Sequence, residues 1–229
     1  MPDRFWRRPR IVVYTALFGE RDAIPAYDWN GVAHSLVCFT DRSDRRHDQF
    51  NVVQAPPLFA DPNRCAKLFK VLPHVFFPGY DYSVWFDGCI QFKRLDPVRL
   101  VRELLRESDL AAFSHPERSC LYEEARVCVE HRRDDPATIQ GQVEHYQAEG
   151  VPRAAGLSAC GFLVRRHTRA LAQFSLSWWA EIARFSRRDQ ISFAYLRWKH
   201  GLKQATIPGS YWDNEIFTYG THLGAEWRP

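Results

Sequence analysis

Apolar and polar positions fall in blocks that change period along the chain. Ile11-Val-Val-Tyr-Thr-Ala-Leu17 is a continuous apolar run ended by Phe18-Gly19-Glu20-Arg21-Asp22, and a second run covers His34 to Thr40 before an acidic turn at Asp41. Such runs predict strands of a sheet covered on both faces. Beyond Pro56-Pro57 the period becomes helical. Pro62 to Phe76 puts Leu68, Val71 and Leu72 on one face and spaces Arg64, Lys67 and Lys70 three apart. Residues three apart share a flank, so three cations are predicted to line one side of this helix.

The alternation continues downstream. Tyr82-Ser-Val-Trp-Phe-Asp87 reads as a short buried strand ending in a carboxylate, and Pro97 to Arg106 as a helix opened by Asp96 at the N-cap with proline in its first position. A strand over Leu110 to Ser114 precedes helices over Leu121 to Glu130 and Pro136 to Glu149, the latter stopped at Gly150. Ala159 to Val164 predicts another strand, and Thr168 to Arg184 an amphipathic helix rich in Phe and Trp. After a break at Ser186 to Arg188, Asp189 to His200 predicts a last helix stopped by Gly201. From Gln204 onward no period is visible. With no repeat and no linker, the pattern predicts one α/β domain over residues 1–229.

Composition narrows the class. The chain has 229 residues, 45% of them hydrophobic, enough for one well-buried core. Lys and Arg number 31 against 27 Asp and Glu, a net +4 too small and too dispersed for binding based on phosphate neutralisation along nucleic acid. The arginine pairs 7-8, 45-46, 132-133, 165-166 and 187-188 read mostly as solvated edges. Arginine also forks onto phosphates and carboxylates. Six cysteines without a CxxC pattern predict reduced, buried thiols. No stretch approaches the roughly 20 apolar residues of a membrane span, and the first residues lack a signal-peptide core, so a cytoplasmic protein is expected. Phe5, Trp6 and the neighbouring arginines leave room for weak peripheral membrane association.

Several clusters carry chemistry. Asp87 stands at a strand's C-terminal end, the edge where open α/β sheets bind ligands, and Gly88 permits close approach. Such an acid suits a divalent cation or a ribose hydroxyl, and equally a plain turn. Arg64, Lys67 and Lys70 on a rigid helix suit a diphosphate, or a solvated face. Asp189, at a helix start, reads as an N-cap or, with Gln190 beside it, as part of a sugar site. His115, Arg118, Glu123 and Glu124 crowd a further strand end. Neither glycine-rich phosphate loop is present, and no serine elbow or zinc motif occurs. His222 is a lone histidine.

Taken together, Lys67-Leu-Phe-Lys70-Val-Leu-Pro-His74, Tyr82 to Gly88, His115 to Glu124, Gly156-Leu157 with Arg165-Arg166-His167-Thr168, and Trp178-Trp179-Ala-Glu181 through Arg188-Asp189-Gln190-Ile-Ser-Phe193 resemble the glycosyltransferase-like domain of plant mucilage and turgor-regulation proteins, from about Tyr14 to about Tyr195. The resemblance implies a GT-A-like α/β/α sandwich with a mainly parallel central sheet. It further implies a nucleotide-diphosphate sugar donor, a glycan or glycolipid acceptor, and Thr15 and Arg21 beside the nucleotide. Asp87 takes the first place of the D-x-D signature, but Cys89 replaces its second carboxylate. A Mn²⁺ or Mg²⁺ ion is therefore implied only loosely, with His222 as a second ligand. Asp189-Gln190 is similar to an Asp-Gln pair beside the sugar in retaining enzymes, with Trp179 and the His115 to Glu124 cluster as the sugar or acceptor side. The alternatives are a ceramidase-like hydrolase, an activity assigned to a plant relative, and a non-catalytic nucleotide-sugar-binding module.

Overall fold

The structure is a computed structural model that describes residues 9–19, 22–31 and 35–220. Its frame is a seven-stranded sheet in the order β3-β2-β1-β4-β7-β6-β8. These strands are β1 (Ile11–Leu17), β2 (Ser35–Thr40), β3 (Asn51–Gln54), β4 (Tyr82–Phe86), β6 (Leu110–Ser114), β7 (Ser158–Arg166) and β8 (Gln204–Thr206). The first four strands of that order are parallel, and β6 and β8 pair in parallel; only β7 runs against its neighbours β4 and β6. A two-stranded sheet of β5 (Ile90–Phe92) and β9 (Phe217–Tyr219) lies apart.

Helices cover both faces. Alternate residues of β1 separate the layers: Val12, Tyr14 and Ala16 face a core shared with α1 (Pro62–Val71), α4 (Leu121–Glu130), α5 (Pro136–Ala148), α6 (Arg169–Arg184) and α7 (Asp189–Lys199). Ile11, Val13 and Leu17 face a second core with α3 (Pro97–Leu104), Trp29, Phe50 and the tail residues Ile207, Tyr211, Ile216 and Phe217. This is the α/β/α sandwich with a mainly parallel sheet that the GT-A-like resemblance implies. Parallel strands have to be buried on both sides, which is why their sequences read as unbroken apolar runs.

Local chemistry explains the element ends. Asp96 caps α3 by accepting from Arg99 N at 2.9 Å, and Thr168 caps α6 by accepting from Leu171 N at 3.2 Å. Gly150, at φ 79°, ends α5 in the left-handed region that glycine tolerates. The helix expected over Pro62 to Phe76 is two helices. Leu72 leaves helical geometry at φ −112° and ψ 47°, because a residue before proline is pushed out of the α region, and α2 (Pro73–Phe76) restarts after it. The arginine runs are not all solvated edges. Arg165 is fully buried, donating to Lys70 O at 2.7 Å and to the Tyr14 hydroxyl at 2.6 Å. All six cysteines are free and buried, as expected.

At the C-terminal edge of β4, a Cβ added to Gly88 would stand 2.6 Å from Leu17 Cδ2 and 2.8 Å from Asp22 Cβ. Gly88→Ala is expected to lower unfolding free energy by about 1–3 kcal/mol through overpacking. A denaturant midpoint unchanged from the parent would contradict this packing account.

Candidate active site

Four charged side chains from three elements meet at the C-terminal edge of the sheet. Lys67 and Lys70 lie three residues apart on α1, so both ammonium groups leave the helix on the same flank. Asp87 follows β4 directly and shares the Trp85 face. Asp189 is the first residue of α7. Lys70 Nζ bridges the two acids, 2.7 Å from Asp189 Oδ2 and 3.2 Å from Asp87 Oδ1; Lys67 Nζ is 2.8 Å from the same Asp189 Oδ2. Trp85 Nε1 donates to Asp87 Oδ1 at 2.8 Å, and the Lys70 ammonium sits 5.6 Å from the Trp85 ring centroid.

Burial sets the electrostatics of this cluster. The side chains of Lys70 and Asp189 are 1% and 4% exposed, against 17% for Lys67 and 29% for Asp87. Burial alone would push the Asp189 carboxyl upward, but the two lysines override it and hold it well below the ordinary carboxylate range. Burial pulls the Lys70 ammonium down, and Asp189 with Asp87 outweighs it, so Lys70 is raised. Lys67 is lowered by its own burial, with the Lys70 charge adding and Asp189 opposing. The N-cap expectation for Asp189 does not hold, since Arg188 occupies the capping position. As the first helical residue, Asp189 still gains from the positive end of the α7 dipole.

The break before α7 is pinned from several sides. Arg187 pairs with Asp61 Oδ2 at 2.9 Å, and its N–H donates to Asp134 Oδ2 at 2.7 Å. Trp178 Nε1 donates to Asp189 O at 3.1 Å. Gln190 donates to Ser158 O at 3.5 Å and accepts from Arg188 Nη2 at 3.2 Å. Arg188 reaches Glu124 Oε1 at 3.5 Å, and Arg118 Nε donates to Glu124 Oε2 at 2.8 Å. The His115 ring accepts at Nδ1 from the N–H groups of Glu117 and Arg118, which places its proton on Nε2, 3.6 Å from Glu124 Oε2. Burial lowers the His115 pKa, and Arg118 and Arg188 add to this against Glu124. His115 is therefore a neutral donor at pH 7.

Thus Lys67, Lys70, Asp87 and Asp189 form one cluster, continued through the first turn of α7 to Gln190, Glu124, Arg118 and His115. Other expected residues lie elsewhere. The Arg64 guanidinium donates to Ile182 O and, at 3.1 Å, to Phe185 O, so it fastens α1 to the end of α6 and its fork is taken by carbonyls. Thr15 is buried within β1 on the face opposite the lysines. Glu123 is half-buried and pairs with Arg153 at 3.4 Å. Trp179 packs on Phe59 with ring centroids 5.5 Å apart. Arg21, His222, Phe5 and Trp6 lie outside the described residues. Arg188, which the sequence shows only within a run of charges, turns to Glu124 and Gln190.

Among the described residues a divalent cation would find few ligands. Among the described residues no group of three His, Cys, Asp or Glu side chains could hold a metal ion. Asp87 Oδ1 already faces an ammonium and an indole N–H. Cys89 is buried, and burial with the Asp87 charge beside it pushes its thiol up to about 12, so it is neutral at pH 7. The described donor set does not fit a protein-held metal.

Residues 49–217 match the TOD1/MUCI70, glycosyltransferase-like domain. The chain belongs to this family. Among TOD1/MUCI70 relatives, it is 30% identical over 155 residues to "Probable hexosyltransferase MUCI70" of Arabidopsis thaliana, covering 63% of this chain and 26% of that protein. It is 26% identical over 178 residues to "Alkaline ceramidase TOD1" of the same plant, covering 72% of this chain and 38% of that protein. The chain thus spans well under half of either relative's length. A crystal structure of mouse xyloside xylosyltransferase 1 superposes over 87% of this chain and 84% of its own, with TM-score 0.47 and 9% identity. Among the described residues, no helix is long and apolar enough to cross a membrane.

The charge cluster makes stability pH-dependent with a definite sign. Asp189 is lowered on folding, so its contribution is complete above its ordinary pKa of about 4 and is lost as pH falls below that. Lys70 is raised, so its contribution is complete below its ordinary pKa of about 10.4 and is lost as pH climbs through the folded value. Denaturant midpoints measured across pH should show an acidic limb that is shallower in Asp189→Asn than in the parent. Superimposable acidic limbs would show that the Asp189 carboxylate does not contribute as described.

Proposed function

We propose that the chain transfers a sugar from a nucleotide-diphosphate sugar to a hydroxyl of a glycan or glycolipid acceptor. The observation that carries this reading is the convergence of two lysines from one helix turn with Asp87 and Asp189 at the ligand-binding edge of the sheet. Membership of a glycosyltransferase-like family and the name of the MUCI70 relative support it.

Glycosyl transfer breaks the bond between the anomeric carbon and the diphosphate oxygen. Negative charge grows on the leaving group while positive charge grows on the sugar ring, and preorganised charges of opposite sign lower that barrier. Lys67 is the more accessible ammonium and Lys70 the deeper one, so phosphate oxygens would meet Lys67 first with Lys70 behind it. Asp189 is held ionised by the two lysines. A carboxylate so acidic is a weak base, which suits stabilising the positive sugar better than taking the acceptor's proton. Gln190, half-buried beside Asp189, has an amide hydrogen left to donate to a sugar hydroxyl. The two lysines supply the positive charge that the leaving group needs.

The name of the TOD1 relative favours a second reading, hydrolysis of a ceramide amide. That chemistry calls for a metal-bound water or an activated nucleophile. The described residues supply no metal trio, and every cysteine is buried.

Release of nucleoside diphosphate from a panel of nucleotide sugars, with glycan and glycolipid acceptors, tests the proposal. Lys67→Gln is expected to lower turnover by at least about tenfold with the fold intact. Parent activity should survive chelation of divalent ions. A wild-type rate in Lys67→Gln would remove the lysine from the reaction, and a loss on chelation restored by Mn²⁺ would assign the charge to a metal. Ceramide cleavage without any sugar transfer would establish the second reading.

A further inference from the structure

The strand-end carboxylate is approached from its other side by a residue of the tail. Tyr211 lies between β8 and β9 in the second core, its ring set among Phe113 at 5.8 Å, Phe217 at 5.8 Å, Tyr219 at 5.2 Å and Trp212 at 5.6 Å between centroids. Its hydroxyl reaches over Gly161 of β7, whose carbonyl accepts from Asp87 N at 2.8 Å. A Cβ added to Gly161 would stand 1.9 Å from the Tyr211 hydroxyl oxygen and 3.0 Å from Asp87 Oδ2. The phenol oxygen and the second carboxylate oxygen therefore crowd the same face of one glycine. Any side chain at position 161 would displace one of them.

This arrangement divides the work around Asp87. Oδ1 is taken by Trp85 Nε1 and the Lys70 ammonium, both from the α1 side. Oδ2 is the oxygen turned toward Gly161 and the phenol. Packing alone would be served by phenylalanine, which fills the neighbouring positions 113 and 217. The hydroxyl is what requires the glycine. Burial, with the Asp87 charge adding to it, raises the Tyr211 pKa, so the phenol keeps its proton and can serve as a donor.

We propose that Tyr211 is a positioning residue of the donor site, its hydroxyl over Gly161 orienting Asp87 Oδ2 toward a ribose hydroxyl of a bound nucleoside diphosphate. This rests on the glycosyltransferase reading above and extends it to a residue of the second core. The tail then does more than close that core: it ties the ligand-binding edge to the layer opposite the lysines.

Calorimetric titration with UDP and with GDP, alongside melting curves without ligand, tests it on the parent, Tyr211→Phe, Gly161→Ala and the double variant. The parent is expected to bind at least one of the two nucleotides. Tyr211→Phe should keep the unliganded melting temperature and weaken binding by about fivefold or more, the scale on which a mis-set Asp87 carboxylate loses one hydrogen bond to the ribose. Gly161→Ala should also weaken binding, and the double variant should lose no more than the weaker-binding single, because both act on the same oxygen. Parent-like affinity in Tyr211→Phe, a lowered unliganded melting temperature in that variant, or losses that multiply in the double variant would overturn the proposal. A parent that binds neither nucleotide would instead remove the donor-site reading beneath it.

Discussion

The Lys70 ammonium holds the molecule's two halves of chemistry together. Its side chain is 1% exposed and lies between carboxylates contributed by the end of β4 and the start of α7. Its backbone is held as firmly: the carbonyl of Lys70 accepts from the Tyr14 hydroxyl at 3.0 Å and from Arg165 at 2.7 Å, both inside the sheet. A charge this deep loses several kcal/mol of hydration, and only close, correctly placed counter-charges offset that loss. Moving α1 by a turn, or starting α7 a residue later, would strand a charge in the core. Helix register, strand end and helix start are thereby coupled through one nitrogen atom.

An ion cluster of this sort is a poor choice if stability is the sole aim. Well-packed apolar residues in place of a buried ion pair often leave a protein equally or more stable. In the proposed reaction the cluster is a prepared ligand site: two negative charges hold two positive ones at the strand ends, and Lys67, 17% exposed, is the more accessible of the two lysines. Around it, the rigid parts are supplied by neighbours with no chemistry of their own. Arg64 clamps α1 to the last carbonyls of α6, and Arg187 ties the break before α7 to Asp61 and Asp134. Glu124, buried on α4, gathers Arg118 and Arg188 beside Gln190.

Much of the frame was legible in the residues because its strands are covered on both faces and its helices begin with marked caps. β1, β6 and α4 fall where the periodicity puts them, and β7 runs a little beyond its apolar stretch, from Ser158 to Arg166. The short strands β3, β5, β8 and β9 left no period to read, being three or four residues long and partly exposed. In the site, the three-residue spacing of α1 was visible, but spacing alone cannot say which cation turns to a helix end and which to a carboxylate. Arg64 and Lys67 are one turn apart and do different things. The burial of Asp189 was also hidden, since an acid at a helix start looks the same whether it caps the helix or neutralises lysines. Tyr211 and Gly161 lie 50 positions apart and meet only through the sheet.

If Lys70 and Asp189 are coupled and kept for binding, stability and ligand response must separate when both are replaced. Melting curves of Lys70→Met, Asp189→Leu and the double variant, each with and without UDP or GDP, measure this directly. Each single variant should be destabilised by up to about 3–5 kcal/mol, because the buried charge that remains keeps one of its two partners, Lys67 for Asp189 and Asp87 for Lys70. The double variant should recover much of that loss while showing no stabilisation by nucleotide. Single losses that simply add in the double variant, or a double variant still stabilised by nucleotide like its parent, would contradict the account.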